Sequence, residues 1–249
     1  MFIRGFYNAA QAMIVRQREL DTVANNVSNA NTAGFRKDEA TLNTFMDELI
    51  WVQHRKATHS GTFQQTYVEE SHTFLEQGSL EFTDSRFDVA IFGNVYFNIT
   101  DRNGNTYQTR AGQFELDREG FLCLGRSGRV QGENGDIYIG HHDFVVTNDG
   151  VILDYQGEVI DEFLLTYIPE DANVRKIGDN LFAYDGNAAL PEGERFDIIQ
   201  GAFEKSNVDV NKEMTKALEL QRMYEASSSA LKAFDMINNR NADMAKLNR

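Results

Sequence analysis

From Ser206 to Arg249 the chain contains neither glycine nor proline, and this stretch constrains the fold more than any other. Leu220, Met223, Ser227, Ala230, Phe234, Ile237, Asn241 and Met244 recur in alternating steps of three and four, with Ala217, Tyr224 and Leu231 widening the stripe. Opposite charges three residues apart (Glu213–Lys216, Lys216–Glu219, Glu219–Arg222, Arg222–Glu225, Lys232–Asp235) support the same helix on its surface. The pattern predicts one helix from Val210 to Leu247, about 60 Å long at ~1.5 Å per residue. A helix of that length with one apolar stripe needs a partner.

The other end of the chain offers one. Phe6, Ala10, Met13, Gln17, Leu20, Ala24 and Val27 step by fours and threes, which predicts a helix from about Ile3 to Val27. Two ordinary amphipathic helices on a globular core would give the same pattern, but a compact domain rarely offers a face ~60 Å long. Polar residues at Gln17, Ser227 and Asn241 interrupt the stripes, a device that can fix register at some cost in stability. Because the N-terminal helix is the shorter, roughly Ala230 to Met244 is expected to lack a partner within the chain.

Composition separates the middle from the ends. Residues 1–60 carry 7 Lys/Arg against 6 Asp/Glu, residues 61–200 carry 9 against 25, and residues 201–249 carry 8 against 7. All the excess negative charge lies in the middle, which disfavours nucleic acid and anionic membrane as partners. Hydrophobic residues make up 41%, enough for a core, and the single cysteine, Cys123, excludes an internal disulfide framework. No apolar run approaches the ~18 residues of a membrane-spanning helix, so no direct membrane insertion is expected. The start of the chain lacks the basic head, apolar block and small-residue site of a cleavable signal peptide.

Between the helices the texture changes twice. Ala24 to Phe35 interleaves Asn25, Asn26, Asn29 and Asn31 with small residues before Gly34; amides compete with helical hydrogen bonding and glycine allows positive φ. A hydrogen-bonded elbow is the favoured reading, a flexible linker the alternative. Residues 36–76 read as an extended arm or hairpin, with a short helix over Thr41–Trp51 (Leu42, Phe45, Met46, Leu49, Ile50) and β-like Phe63 and Tyr67. From Gln77 to Gly201, short apolar runs alternate with Asn103-Gly104, Glu119-Gly120, Gly135-Asp136, Asp149-Gly150 and Gln156-Gly157, and Val159–Ile168 forms a longer run. The expected fold is therefore α+β. Long terminal helices (1–35 with 202–249) pair as a coiled coil, 36–76 links them, and an all-β sandwich or open barrel (77–201) is inserted.

No residue pattern calls for catalysis. His141 and His142 are adjacent and point to opposite faces of a strand, which makes a poor metal pair. Asp101-Arg102-Asn103-Gly104-Asn105 imitates a calcium loop, but its glycine falls at the fourth position and Gly112 stands where the bidentate glutamate belongs. Cys123 lies in an alternating run where a buried thiol is expected. No nucleophile elbow, phosphate loop or dinucleotide fingerprint is present, so neither cofactor nor metal is expected.

Four segments, however, match a known pattern. Ala24-Asn25-Asn26-Val27-Ser28-Asn29-Ala30-Asn31-Thr32-Ala33-Gly34-Phe35 resembles a signature of bacterial flagellar rod and hook proteins, "ANN-x-(A/S)-N-x-(N)-T-x-G-(F/Y)". Gln200-Gly201-Ala202-Phe203-Glu204-Lys205-Ser206-Asn207-Val208 is similar to that family's "QG-x-LE-x-SNV", with Phe203 in place of leucine, and Glu213-Met214 and Gln221–Glu225 match its "EM" and "QR-x-YE". Gln77–Leu80 with Phe87–Gly93 resembles "QG-x-L … LD-x-AI-x-G", and Tyr107–Phe114 resembles "YTR-x-G-x-F" shifted by one residue.

The resemblance spans nearly the whole chain and implies a non-enzymatic subunit of the basal-body rod, in the periplasmic space, passed through the flagellar type III export apparatus without a cleaved signal. It implies polymerisation through the terminal helices, with the β domain outward. The implied partners are further copies and other rod subunits, with hook protein and the bushing rings as neighbours. The implied assembly surface comprises Phe6, Met13, Leu20 and Val27 with Met214, Leu220, Arg222, Met223, Tyr224, Leu231, Phe234 and Ile237. To these are added the elbow residues Asn25, Asn26, Asn29, Asn31, Gly34 and Phe35, and Ser206, Asn207 and Val208. The short 36–76 arm leans toward the proximal rod. A β-sandwich glycan hydrolase and an adhesion module on a helical stalk are the competing readings.

Overall fold

The computed structural model describes residues 2–44, 66–140, 143–178, 180–184, 186 and 195–247. It has the α+β class, with a helix at each end of the chain and antiparallel strands between them. The chain forms two compact units: residues 1–28, 38–72 and 209–249 in one, residues 29–37 and 73–208 in the other. Residues 29–35 and 202–208, expected with the helices, thus belong to the strand-rich unit.

In the first unit, helix α1 runs from Phe2 to Ser28 and helix α2 from Val210 to Leu247. Asp209 starts α2, its Oδ1 accepting the amides of Asn211 (3.1 Å) and Lys212 (3.2 Å), as an N-cap requires. The helices pack antiparallel. Near one end Asn26 Nδ2 donates to Glu213 Oε2 at 3.2 Å, and near the other a Cβ on Gly5 would meet the Phe234 ring at 2.6 Å. Asn26 and Gly5 stand 21 positions apart, and so do Glu213 and Phe234, three heptads on each helix.

Burial follows that period. The unbroken half-buried or buried rows are Gly5, Ala9, Ala12, Arg16, Glu19, Val23 and Asn26 on α1, and Glu213, Ala217, Leu220, Tyr224, Ser227, Leu231 and Phe234 on α2. Buried Val15 and half-buried Ala10, Met13, Leu20 and Val27 flank the α1 row. The α1 seam is therefore rotated by one residue from the expected stripe of Phe6, Ala10, Met13, Gln17, Leu20, Ala24 and Val27. Small residues let the helix backbones approach, so Gly5, Ala9 and Ala12 take the inside while Phe6 stays exposed. Gln17 lies outside, bonded to Asp21, whereas Ser227 is half-buried in the seam as expected, together with Arg16, Glu19, Asn26 and Glu213. In this register Phe2, the first residue of α1, lies level with Ile237, so the overhang of α2 begins after Ile237, further along than Ala230.

Strands β1 (Asp38–Thr44) and β2 (Thr66–Thr73) pair in the same unit. The short helix expected from Thr41 is a strand over residues 41–44; Phe45, Met46, Leu49, Ile50, Trp51 and Phe63 lie outside the described residues. The cause is visible at Asp38. Asn26 Oδ1 accepts its amide (3.0 Å) and Asn26 Nδ2 donates to its carbonyl (2.8 Å), a side-chain copy of strand pairing that commits Asp38 to an extended start.

The second unit holds β3 (Leu80–Phe82), β4 (Val89–Phe92), β5 (Val95–Thr100), β6 (Thr106–Thr109), β7 (Glu115–Leu116), β8 (Leu122–Leu124), β9 (Gly128–Gly132), β10 (Gly135–Asp136), β11 (Phe144–Val146) and β12 (Val151–Asp154). After these come β13 (Val159–Glu162), β14 (Leu165–Tyr167), β15 (Arg175–Gly178), β16 (Leu181–Ala183), β17 (Asp197–Gln200) and β18 (Ala202–Glu204). A nine-stranded sheet follows the order β15-β16-β6-β5-β9-β8-β7, with β14 on β5 and β10 on β9; β11-β12-β13, β17-β4 and β18-β3 form smaller sheets. The run Val159–Ile168 is two strands, because β13 pairs with β12 and β14 with β5, and buried Phe163 lies at the handover.

β5 is the central strand and is buried on both faces. Phe97 meets Phe114 and Phe163 at 5.0 and 5.2 Å in the main core, while its neighbour Tyr96 turns the other way against Phe182. Period-two alternation thus carries two cores on one strand.

Candidate functional site

Two features, one in each unit, are candidates. In the helical unit it is what remains exposed after α1 and α2 have paired. Tyr7 (65% exposed) and Ile14 (58%) stand a heptad apart on α1, on the side turned away from Gly5 and Ala12. Along α2, Val210, Met214, Met223 and Ile237 are exposed on the flanks of the seam, and Leu218 and Met236 on the side turned away from Leu220 and Phe234. Single exposed apolar residues are ordinary, but rows at helical spacing mark an association surface.

The residues expected at an assembly surface separate on this basis. Phe6, Asn25, Asn31, Met214, Arg222, Met223 and Ile237 are exposed; Met13, Leu20, Val27, Asn29, Asn207, Val208, Tyr224, Leu231 and Phe234 are half-buried. Asn26, Gly34, Phe35, Ser206 and Leu220 are buried inside the subunit. The sequence missed Tyr7, Ile14, Leu218 and Met236. Their signal was present in the seven-residue spacing of Tyr7 and Ile14, one position beyond the stripe that was read.

In the strand-rich unit the candidate is a buried charge cluster on Glu204. Arg36 Nη1 donates to Glu204 Oε1 at 2.6 Å, and Arg110 Nη1 donates to Glu204 Oε2 at 3.1 Å; all three side chains are at most 2% exposed. The amide of Gly78 donates to Glu204 Oε1 at 2.7 Å. Arg110 also donates to the carbonyls of Ile91 and Gly93 and lies 4.4 Å over the Tyr96 ring. Burial opposes the charge on both arginines. At Arg36 the Glu204 carboxylate and Tyr96 together outweigh it and hold that pKa above its ordinary value, whereas at Arg110 burial prevails and the pKa falls.

Segments far apart in sequence interlock around this carboxylate. The Gly34 amide donates to the Glu204 carbonyl at 2.8 Å, and a Cβ on Gly34 (φ 66°) would fall 2.3 Å from the Ala111 nitrogen. A Cβ on Gly78 would fall 2.0 Å from the Lys205 carbonyl oxygen. Asn207 accepts the Lys37 amide at 2.7 Å and donates to the carbonyls of Phe74 (3.1 Å) and Glu76 (3.0 Å). The segments around Gly34, Gly78, Arg110 and Glu204, each carrying one of the motifs read in the sequence, meet at one point.

The carboxylates of this unit have a different use. Asp101 Oδ1 accepts the amides of Asn103 (2.7 Å) and Asn105 (3.0 Å), Asp117 Oδ1 those of Glu119 (2.8 Å) and Phe121 (2.9 Å), and Asp154 Oδ1 those of Gln156 (2.7 Å) and Glu158 (2.9 Å). Each is an Asp-x-x-Gly-x hairpin turn whose glycine, 104, 120 or 157, has φ between 83° and 91°. Hydrogen bonds, the Asn105 amide foremost, hold the Asp101 carboxyl below the usual range. The calcium-like spacing at Asp101 is therefore a turn whose carboxylate is already committed. Cys123 is buried, its thiol donating to the Glu115 carbonyl at 3.3 Å, and burial pushes that thiol up.

Terminal helices that have paired and still present apolar rows to solvent define a building block of a larger assembly. Comparison with known proteins names the assembly. Residues 6–36 match the model described as flagella basal body rod protein, residues 90–154 the flagellar hook protein FlgE/F/G D1 domain, and residues 199–242 the flagellar basal body rod FlgEFG protein C-terminal. The chain is 30% identical to the flagellar basal-body rod protein FlgG of Bacillus subtilis over 94% of this chain and 96% of that one. It is 31% identical to the flagellar basal-body rod protein FlgF of Caulobacter vibrioides, covering 88% and 89%. The chain belongs to the flagellar basal-body rod protein family, a family of structural components of the flagellar basal body.

Proposed function

We infer that this rod subunit polymerises through its terminal helices, and that α1 and α2 form an antiparallel coiled coil whose exposed apolar rows are covered by neighbouring subunits. One observation carries the reading: Tyr7 and Ile14 remain exposed on α1 although its other face already has a partner. A head-to-tail lattice buries such rows without closing on itself. Met214, Met223 and Ile237 would contribute the matching rows from α2, and the overhang after Ile237 would reach a further subunit. The exposed elbow amides Asn25 and Asn31 would supply polar contacts.

The same reading makes other rod subunits the neighbours along the axis, with hook protein and the bushing rings beyond, and places the subunit in the periplasmic space after passage through the flagellar type III export apparatus. The short 36–76 arm favours the proximal section; a labelled copy located along isolated basal bodies by electron microscopy tests that placement.

Assembly itself is tested by Ile14→Asp combined with Met236→Asp. Both residues are exposed in the subunit, so the monomer keeps its circular dichroism and thermal midpoint while polymerisation, followed by sedimentation and electron microscopy, is abolished. Polymers of normal length from this variant would refute the reading. Phe234→Asp is the poorer probe, since Phe234 packs on Gly5 within the subunit.

A further inference from the structure

We propose that Arg36, Glu204 and Arg110 are positioning residues whose role is register rather than stability: they fix which residues of 29–37 and of 202–208 lie side by side in the strand-rich unit. Two guanidinium groups share one carboxylate, all three side chains are at most 2% exposed, and the cluster carries a formal net charge of +1. Burying such a group costs desolvation that the ion pairs rarely exceed, so apolar side chains of similar volume would serve stability at least as well. What apolar side chains lack is direction. Glu204 accepts from Arg36, Arg110 and the Gly78 amide at once, with Oε1 and Oε2 assigned to different arginines, and only one alignment of the three segments satisfies it.

The same segments are also tied by the Gly34 amide to the Glu204 carbonyl and by the Lys37 amide to Asn207 Oδ1, but the strand pairing beside them is short. β18 contributes only Ala202–Glu204 to its pairing with β3, and a strand of three residues specifies its partner weakly. Around it, Gly34 and Gly78 leave backbone against backbone, without side chains that interdigitate. A slip of one residue along 202–208 would remove Glu204 from both arginines and bring Phe203 or Lys205 into their place.

This role is separable from assembly, since its first readout is in the subunit alone. In the full chain, Arg36→Met, Arg110→Met and Glu204→Leu combined should keep or raise the urea midpoint. Hydrogen exchange should accelerate by tenfold or more at the amides of Gly34, Lys37 and Lys205, which bridge the segments. It should be unchanged at Leu122 and Ile198, whose amides donate to the Ile137 and Asn148 carbonyls. Arg36→Lys is the second variant: it keeps the charge and replaces the planar guanidinium that reaches Glu204 through Nη1, and should loosen Gly34 and Lys37 at an unaltered midpoint. If the triple variant does not fold, this one decides. A lower midpoint with exchange faster everywhere, or bridging amides as protected as in the parent, would overturn the proposal.

Discussion

Gly34 and Gly104 share a positive φ, 66° and 84°, and differ in everything around it. A methyl group on Gly34 would fall 2.3 Å from a backbone nitrogen, whereas nothing lies within 4 Å of one on Gly104. Gly104→Ala should therefore cost only the left-handed backbone penalty, about 1–2 kcal/mol. Gly34→Ala adds a clash that backbone cannot relieve and should cost ~3 kcal/mol or more. Urea titration of the two variants measures the gap, and equal midpoints would contradict the close approach. Asp101 makes a pH statement at the same scale. Its folded pKa is depressed below the unfolded value, so its contribution is present above about pH 4 and is lost as pH falls further. Asp101→Asn should flatten the dependence of the thermal midpoint on pH below about 4, and an unchanged acid limb would show that the turn does not use the charge.

At the scale of elements, the helix pair is a phase relationship. Asn26 with Glu213 and Gly5 with Phe234 are three heptads apart on both helices. One residue inserted between Ser227 and Ser229 turns the following stripe by ~100° and removes Leu231 and Phe234 from the seam. Seven residues inserted there restore the phase. The single insertion should lower the thermal midpoint of the helical unit, and the seven-residue insertion should recover most of it; equal effects would mean that the seam is not heptad-phased. The period was legible in the sequence because spacing alone encodes it. The phase of α1 was not, since pattern reading weights Phe6, Met13 and Leu20, while close packing selects Gly5, Ala9 and Ala12. The hairpins could be read from their x-Gly pairs because a turn is a local event. The Glu204 cluster could not: its partners are 168 and 94 residues away in sequence, and no window contains them.

For the whole molecule, charge is distributed by unit. The strand-rich unit carries 12 Lys/Arg against 24 Asp/Glu, whereas the helical unit carries 12 against 14. If copies assemble through the apolar helix rows as proposed, they bring like-charged units with them, and the repulsion of these units opposes growth. That repulsion is screened over ~10 Å at 0.1 M salt and ~3 Å at 1 M. The critical concentration for polymerisation, measured by sedimentation, should accordingly fall as sodium chloride is raised. Salt also strengthens apolar contact, so a second chain separates the two causes. Glu158, Glu170 and Asp171 are exposed, and replacing them with Gln, Gln and Asn removes three of the excess charges. If repulsion is the brake, this variant polymerises at a lower critical concentration in dilute salt and responds less to added salt. A variant with the parent's salt response would assign the effect to the helix rows alone, and the acidic excess would then play no part in setting when the rod grows.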